Sequence, residues 1–351
     1  MTNTYAKSKT AQKAFELVKG LQNQLVLELE AIDTQPLASH ERFAAIEWAR
    51  AEGRFGGGVR YVAQNPKLFN RASVNISQVQ YEDDPTKKLS SATALSTIVH
   101  PTNPMAPSMH MHISWTETKQ DTKLKGYWRI MADLNPSHPN DEDTRLFETA
   151  FSEAVTDEPT RKTGREQGEQ YFHIPALGRH RGVAHFYLEE YKSEDAEGDL
   201  AFAEVFGKTI IKTYTQIVSK ALKSHNYKIA EGEKAAQLAY HTLYFLQVLT
   251  LDRGTTSGIL VHNENDVGIL GSLPSHVDRN LLQSWLPKLP SLQQKLLEEI
   301  ISVLPEGVTE VTDNVKKQIA ALSREFYKRN PEALDLLARG DIVPPTQDNH
   351  R

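Results

Sequence analysis

Residues 94–115 read ALSTIVHPTNPMAPSMHMHISW, and their alternation decides the fold. Successive side chains of a strand face opposite sides. In the second run His110, His112 and Ser114 therefore share one face, and Met111, Ile113 and Trp115 share the other. Ser96, Ile98 and His100 share a face in the first run. A hairpin through Pro101–Pro107 brings the two polar sets onto one surface. The apolar side fits a core. The polar side carries two imidazoles two residues apart, which suits a pocket better than a packed interior.

The surrounding chain extends this pattern. Residues 11–33 predict an amphipathic helix, with Leu17, Leu21, Leu25 and Leu29 on one stripe. Residues 41–50 read as a second helix, followed by Gly56-Gly57-Gly58. This cluster lacks the Lys-Ser/Thr ending of a phosphate loop, so it reads as a flexible turn. Strands are predicted at 59–63, 73–79, 124–132, 171–173 and 183–187, and helices at 144–155, 200–223, 230–246, 279–304 and 310–338. The apolar run 244–251 reads as a strand, 252–255 as a turn and 259–261 as a strand paired behind it. The last dozen residues read as a disordered tail. Strands joined by short turns and covered by helices predict an α+β fold with a large antiparallel sheet flanked on both faces. One domain is expected over 1–306, with a C-terminal helical extension and tail over 307–351.

The chain has 351 residues, a net charge of −5 and no cysteine. Disulfides, thiolate zinc sites and cysteine nucleophiles are thereby excluded. Without a basic run, nucleic acid and anionic membranes are not expected partners. No apolar stretch has the length of a membrane span, and the N-terminal residues lack a signal-peptide pattern, so a cytoplasmic location is expected. Neither a serine-nucleophile elbow nor a dinucleotide fingerprint occurs.

Seven of the thirteen histidines fall between His100 and His185. Paired imidazoles on a strand suit metal ligation or proton transfer, and equally suit hydrogen-bonded surface roles. Asp133 closes a strand before Asn135-Pro136, where a carboxylate sits at a site mouth or caps a turn. Arg179, Arg181 and Asp252-Arg253-Gly254 offer forks for carboxylates or ion pairs between turns.

These landmarks, in this order, resemble the oxygen-dependent coproporphyrinogen III oxidases. The resemblance is carried by EWARAEGRFGGGVRYVAQNPKLFNRASVNIS (47–77), by Ser96-x-x-x-His100-Pro-x-Asn-Pro-x-x-Pro-x-x-His110, and by Asp133-Leu134-Asn135-Pro136. Tyr171-Phe172, Arg181-Gly182, Asp252-Arg253-Gly254-Thr255 and Leu270-x-Ser272-Leu273-Pro274 complete it. It implies a homodimer that oxidatively decarboxylates two propionates of a porphyrinogen to vinyl groups in haem biosynthesis. Dioxygen is the implied co-substrate, with no organic cofactor. It implies catalytic roles for His110, Asp133 and Asp252, with Asp133 meeting the pyrrole N–H groups. Substrate contacts are expected from Ser96, His112, Ser114, Arg181 and Arg253, and a divalent metal from His100 and His110. The family pattern has asparagine and arginine at the positions of His112 and Ser114, and glycines where this chain has Arg129-Ile130-Met131. Two other readings therefore stand beside it: a tetrapyrrole-binding homologue without activity, and a metal-dependent enzyme acting on another substrate.

Overall fold

The computed structural model describes residues 3–32, 37–120, 123–224, 229–262 and 264–340. Helix α1 (Lys9–Glu30) starts at Ser8, whose hydroxyl accepts the Ala11 N–H. Six strands follow as a continuous meander: β1 (Ala44–Ala49), β2 (Gly56–Val62), β3 (Phe69–Gln80), β4 (Leu89–Pro101), β5 (Ser108–Gln120) and β6 (Lys123–Asn135). Helices α2 (Asp141–Ala154) and α3 (Glu158–Phe172) come next. A two-residue hairpin, β7 (His173–Ile174) with β8 (Arg179–His180), leads into β9 (Ala184–Tyr191). The main sheet is antiparallel throughout, in the order β1-β2-β3-β4-β5-β6-β9. Helices α4 (Ala196–Ser224), α5 (Glu231–Thr250), α6 (Arg253–Val261) and α7 (Asp266–Ile269) follow. The small hairpin β10 (His276–Asp278) with β11 (Val308–Glu310) frames α8 (Arg279–Trp285) and α9 (Ser291–Ser302), and α10 (Asp313–Arg329) comes last.

The expected α+β sandwich is present. One sheet face presents Val74, Ile76, Leu95, Met111, Ile113, Trp128 and Ile130 to α1, α2 and α4, forming the larger core. The second core lies on the other side. It joins Ile98 of the sheet to α5, α8, α9 and α10. Helix α10 packs on α6, α7 and α9. No helix of the described residues is long and apolar enough to cross a membrane.

Several local expectations are corrected. Residues 44–49 form strand β1, not a helix; pairing with β2 overrides the helical preference of Ala44, Ala45 and Glu47. The glycine cluster is part of β2 rather than a loop. A Cβ at Gly57 would lie 2.3 Å from the Trp48 carbonyl oxygen and 2.5 Å from Asn3 Nδ2, so only glycine fits that crossing. Residues 244–251 continue helix α5. Every side chain from Tyr240 to Thr250 is buried, because the second half of α5 is covered on all sides, and such a stretch has no polar stripe to reveal its period. Residues 259–261 belong to α6, and Tyr171-Phe172 end α3 rather than form a strand. The predicted tail, from residue 341 onward, lies outside the described residues.

Candidate active site

The sheet's second face forms the floor of an open pocket, about 1470 Å³ of empty space with its mouth included. Register builds the floor row by row. Ser96 of β4 lies opposite His112 of β5, and Ile98 opposite His110. The Pro101–Pro107 connection thus joins the two polar sets as the alternation predicts. Across β5 and β6 the pairs are His110–Asp133, His112–Met131 and Ser114–Arg129. The walls come from Trp48, Tyr171, Tyr244, Asp252 and the α6–α7 segment.

Beneath one end of the floor lies a charged cluster. Arg181 is almost wholly buried and grips Asp133 with both arms of its fork: Nε donates to Oδ2 at 3.0 Å, and Nη2 to Oδ1 at 2.9 Å and Oδ2 at 2.8 Å. Its Nη1 donates to Gln247 Oε1 at 2.6 Å. The guanidinium also lies 4.7 Å from the Phe172 ring centre and 5.0 Å from that of Tyr244. His110 Nδ1 stands 3.0 Å from Asp133 Oδ1, and Asn135 Nδ2 donates to Oδ2 at 2.6 Å. Burial pushes the Asp133 carboxyl up, but Arg181, His110 and Asn135 outweigh it and hold it near about 2. A carboxylate accepts only, so His110 Nδ1 carries the hydrogen. In the neutral imidazole Nε2 then bears the lone pair, on a residue that lines the pocket.

Asp133 itself is fully buried and absent from the pocket wall. Asp133 stands behind His110, its Oδ1 3.0 Å from the His110 Nδ1. The carboxylate that does line the pocket is Asp252. It caps α6, its Oδ1 accepting the Thr255 N–H at 2.6 Å, and its Oδ2 accepts the Tyr171 hydroxyl at 2.9 Å. Burial raises its pKa, but the Thr255 N–H, His110 and Arg181 together bring it below the ordinary value.

Ser96, His112 and Ser114 line the floor. His112 Nε2 and Ser114 Oγ are 2.9 Å apart. Burial, with Arg129 and His110 adding to it, lowers His112 to about 3, so it is a neutral donor or acceptor. Arg181 lines the pocket, but with its fork committed to Asp133. Arg253 points elsewhere. Its Nη2 bonds Glu189 and the Tyr187 hydroxyl of β9, and it is not among the residues that line the pocket.

The metal expectation fails on its donor set. His100 is wholly buried; Nε2 donates to the Ser272 carbonyl at 3.2 Å, so Nδ1 accepts from the Ser108 hydroxyl at 2.8 Å. Neither nitrogen has a lone pair to give to a cation. Among the described residues no group of three or more metal-ligating side chains occurs.

Sequence reading missed Trp48, Asn75, Tyr171 and Tyr244. Asn75 alternates with Ser73 and Ser77 on the polar side of β3, a signal available from the same period of two. Tyr244 lay hidden in the run misread as a strand.

Comparison with known proteins agrees with this geometry. Residues 13–302 match the sequence pattern of the family described as Coproporphyrinogen III oxidase. An oxygen-dependent coproporphyrinogen-III oxidase of Prochlorococcus marinus is 28% identical over 75% of this chain and 82% of its own length. One from Rickettsia bellii is 30% identical over 67% and 85%. Another from Drosophila melanogaster is 26% identical over 78% and 74%. The chain belongs to the coproporphyrinogen III oxidase family.

Proposed function

We propose that this protein is an oxygen-dependent oxidase that converts two propionate arms of coproporphyrinogen III to vinyl groups in haem biosynthesis. One observation carries the reading: a histidine oriented by a buried carboxylate–guanidinium pair faces an open pocket that also presents Asp252. Small-ligand sites commonly enclose roughly 300–1,000 Å³. The cavity proper is about 280 Å³, at the low end of that range, and its mouth is open, so a larger ligand would protrude from it.

The chemistry follows from the atoms. Each arm, –CH2–CH2–CO2⁻, loses one proton and two electrons from its β-carbon and its carboxylate as CO2, leaving –CH=CH2. Dioxygen takes the two electrons with two protons and becomes hydrogen peroxide. Asp252 accepts hydrogen bonds from the inner N–H groups and fixes the macrocycle. His110 Nε2 receives the β-carbon proton while its electron pair moves through the electron-rich pyrrole to dioxygen. Asp133 stabilises the imidazolium so formed, and Arg181 keeps Asp133 ionised. The apolar walls keep water from the oxidised intermediate.

The reading includes a cytoplasmic homodimer without organic cofactor, supported by the family resemblance and the cysteine-free chain. It also divides the chain near residue 306, supported by the end of the family match at residue 302. Incubating the protein with coproporphyrinogen III with and without dioxygen tests the function. Vinyl product in air and none under argon is the expected result. No product in air, together with tight porphyrin binding, would favour a binding protein instead.

A further inference from the structure

Three basic side chains meet where the sheet touches the C-terminal helices. Arg60 of β2 is the register partner of Asn75 on β3, and its side chain runs along the segment 268–271. A Cβ on Gly271 would lie 3.8 Å from Arg60 Cδ and 4.0 Å from Nε, and one on Gly268 only 2.0 Å from Nη1. Arg71 of β3 reaches the end of the same segment, its Nε donating to the Leu273 carbonyl at 3.3 Å. Lys316 belongs to α10, which packs on α7. Arg324 of α10 clamps that contact, giving both arms to Asp266 of α7 at 2.7 Å.

These cations lack matching anions. Arg60 is 7% exposed, and among the described residues no hydrogen bond or ion pair holds its guanidinium. Lys316 is 3% exposed, and its ammonium pairs with Asp313 at 3.2 Å. The Asp313 side chain is itself 68% exposed, where water screens its charge. Glu310, which with Asp313 acts on Arg71, is exposed too. The acid of α7, Asp266, is spent on Arg324. Burial and then the Arg71 charge lower the pKa of Lys316 against the pull of Asp313, and Arg60 adds to the lowering. The three cations are thus within electrostatic reach of one another. Burying a charge is costly unless it is paired. Arg60, Arg71 and Lys316 against Asp313 leave two positive charges over, which a doubly charged anion balances. We propose that Arg60, Arg71 and Lys316 bind a small oxyanion of the inorganic phosphate class between the sheet and α10. None of the three lines the His110 pocket, and the assignment does not depend on the tetrapyrrole reading. A guanidinium fork donates in pairs to two oxygens, and the ammonium adds a point charge. The bound anion ties β2 and β3 to α10 across the segment that also gives Gly268 and Ser272 to the pocket wall.

Thermal melts in sodium phosphate and in sodium chloride of matched ionic strength test it, at a mildly alkaline pH where inorganic phosphate is doubly charged. The wild-type Tm is expected to rise saturably, by about 2 °C once phosphate reaches about ten times its Kd. Arg60→Met and Lys316→Met should each lose most of that rise. In chloride both variants should melt at the wild-type temperature or above it, because each removes a buried charge that the other two repel. Either variant decides the matter if the other does not fold. No rise in the wild type overturns the site. A rise of equal size in wild type and variants is a bulk effect of the salt and overturns it too, whatever the variants do in chloride. Fluorescence titration with coproporphyrin III, with and without phosphate, separates this corner from the pocket. An unchanged porphyrin affinity is expected. Competition between phosphate and porphyrin would give the corner to the porphyrin's own carboxylates and overturn a separate site.

Discussion

Asp133→Asn is the perturbation that most sharply separates the parts of the buried cluster. The change preserves shape and removes one charge. Oδ2 now accepts from Arg181 Nε, Arg181 Nη2 and Asn135 Nδ2, and Oδ1 from His110 Nδ1 and Arg181 Nη2. An asparagine must turn its NH2 toward one of these sets of donors, so at least one set loses its acceptor. It also leaves the Arg181 guanidinium, 1% exposed, without a counter-charge. Removing one partner of a buried ion pair costs about 3–5 kcal/mol. With roughly 0.7 kcal/mol/K of unfolding entropy for a chain of this size, that lowers Tm by about 4–7 °C. Turnover should fall by about 100-fold or more, because His110 loses the group that fixes its tautomer. The double variant Asp133→Asn with Arg181→Met removes both charges and should regain at least about 1 kcal/mol of stability over the single change, without regaining activity. Thermal melts and coproporphyrinogen turnover on the three proteins supply the numbers. A single variant within about 1 kcal/mol of wild type and equally active would refute the role given to the pair.

Three further outcomes follow. Asp252→Asn keeps an N-cap at α6, so stability should change by less than about 1 kcal/mol while turnover collapses; a stable, fully active variant would remove Asp252 from the chemistry. Arg253→Met removes one charged partner of the fully buried Glu189, which keeps the Tyr187 hydroxyl and the Gly340 N–H, and should cost about 1.5–3 kcal/mol by denaturant titration, with KM unchanged because Arg253 lies off the pocket. The third outcome is acid instability. Burial holds His241 and His112 near about 3 in the folded protein, against about 6.5 unfolded. The unfolded chain therefore binds more protons between about pH 6.5 and 3, and stability falls as pH falls through that window, by about 1.4 kcal/mol per pH unit for each fully titrating histidine. Asp133 adds the same sign below about pH 4, since its folded pKa is near about 2. Denaturant melts at pH 7 and pH 5 should show the loss, and equal stabilities would contradict it.

The central sheet and its polar face were legible because a one-sided strand writes its burial into a period of two. Ser96, His112 and Ser114 alternate with Leu95, Ile113 and Trp115, and the structure keeps that alternation. The rest was hidden for definite physical reasons. The second half of α5 is buried all round, so Tyr240–Thr250 carry no helical stripe. Three of the six residues of strand β1 are alanine, a helix former, and pairing with β2 holds them extended. Which carboxylate faces the pocket depends on side-chain depth. Asp133 and Asp252 both sit in family-like motifs, yet one lies behind His110 and the other lines the wall.

The most direct test of the account is aerobic turnover of coproporphyrinogen III by the wild-type protein beside His110→Gln, with porphyrin binding measured on the same preparations. The account predicts CO2 release and divinyl product from the wild type, and from the variant retained binding with turnover reduced by at least about 100-fold. Equal turnover by both proteins, or none by a wild type that binds porphyrin tightly, would contradict it.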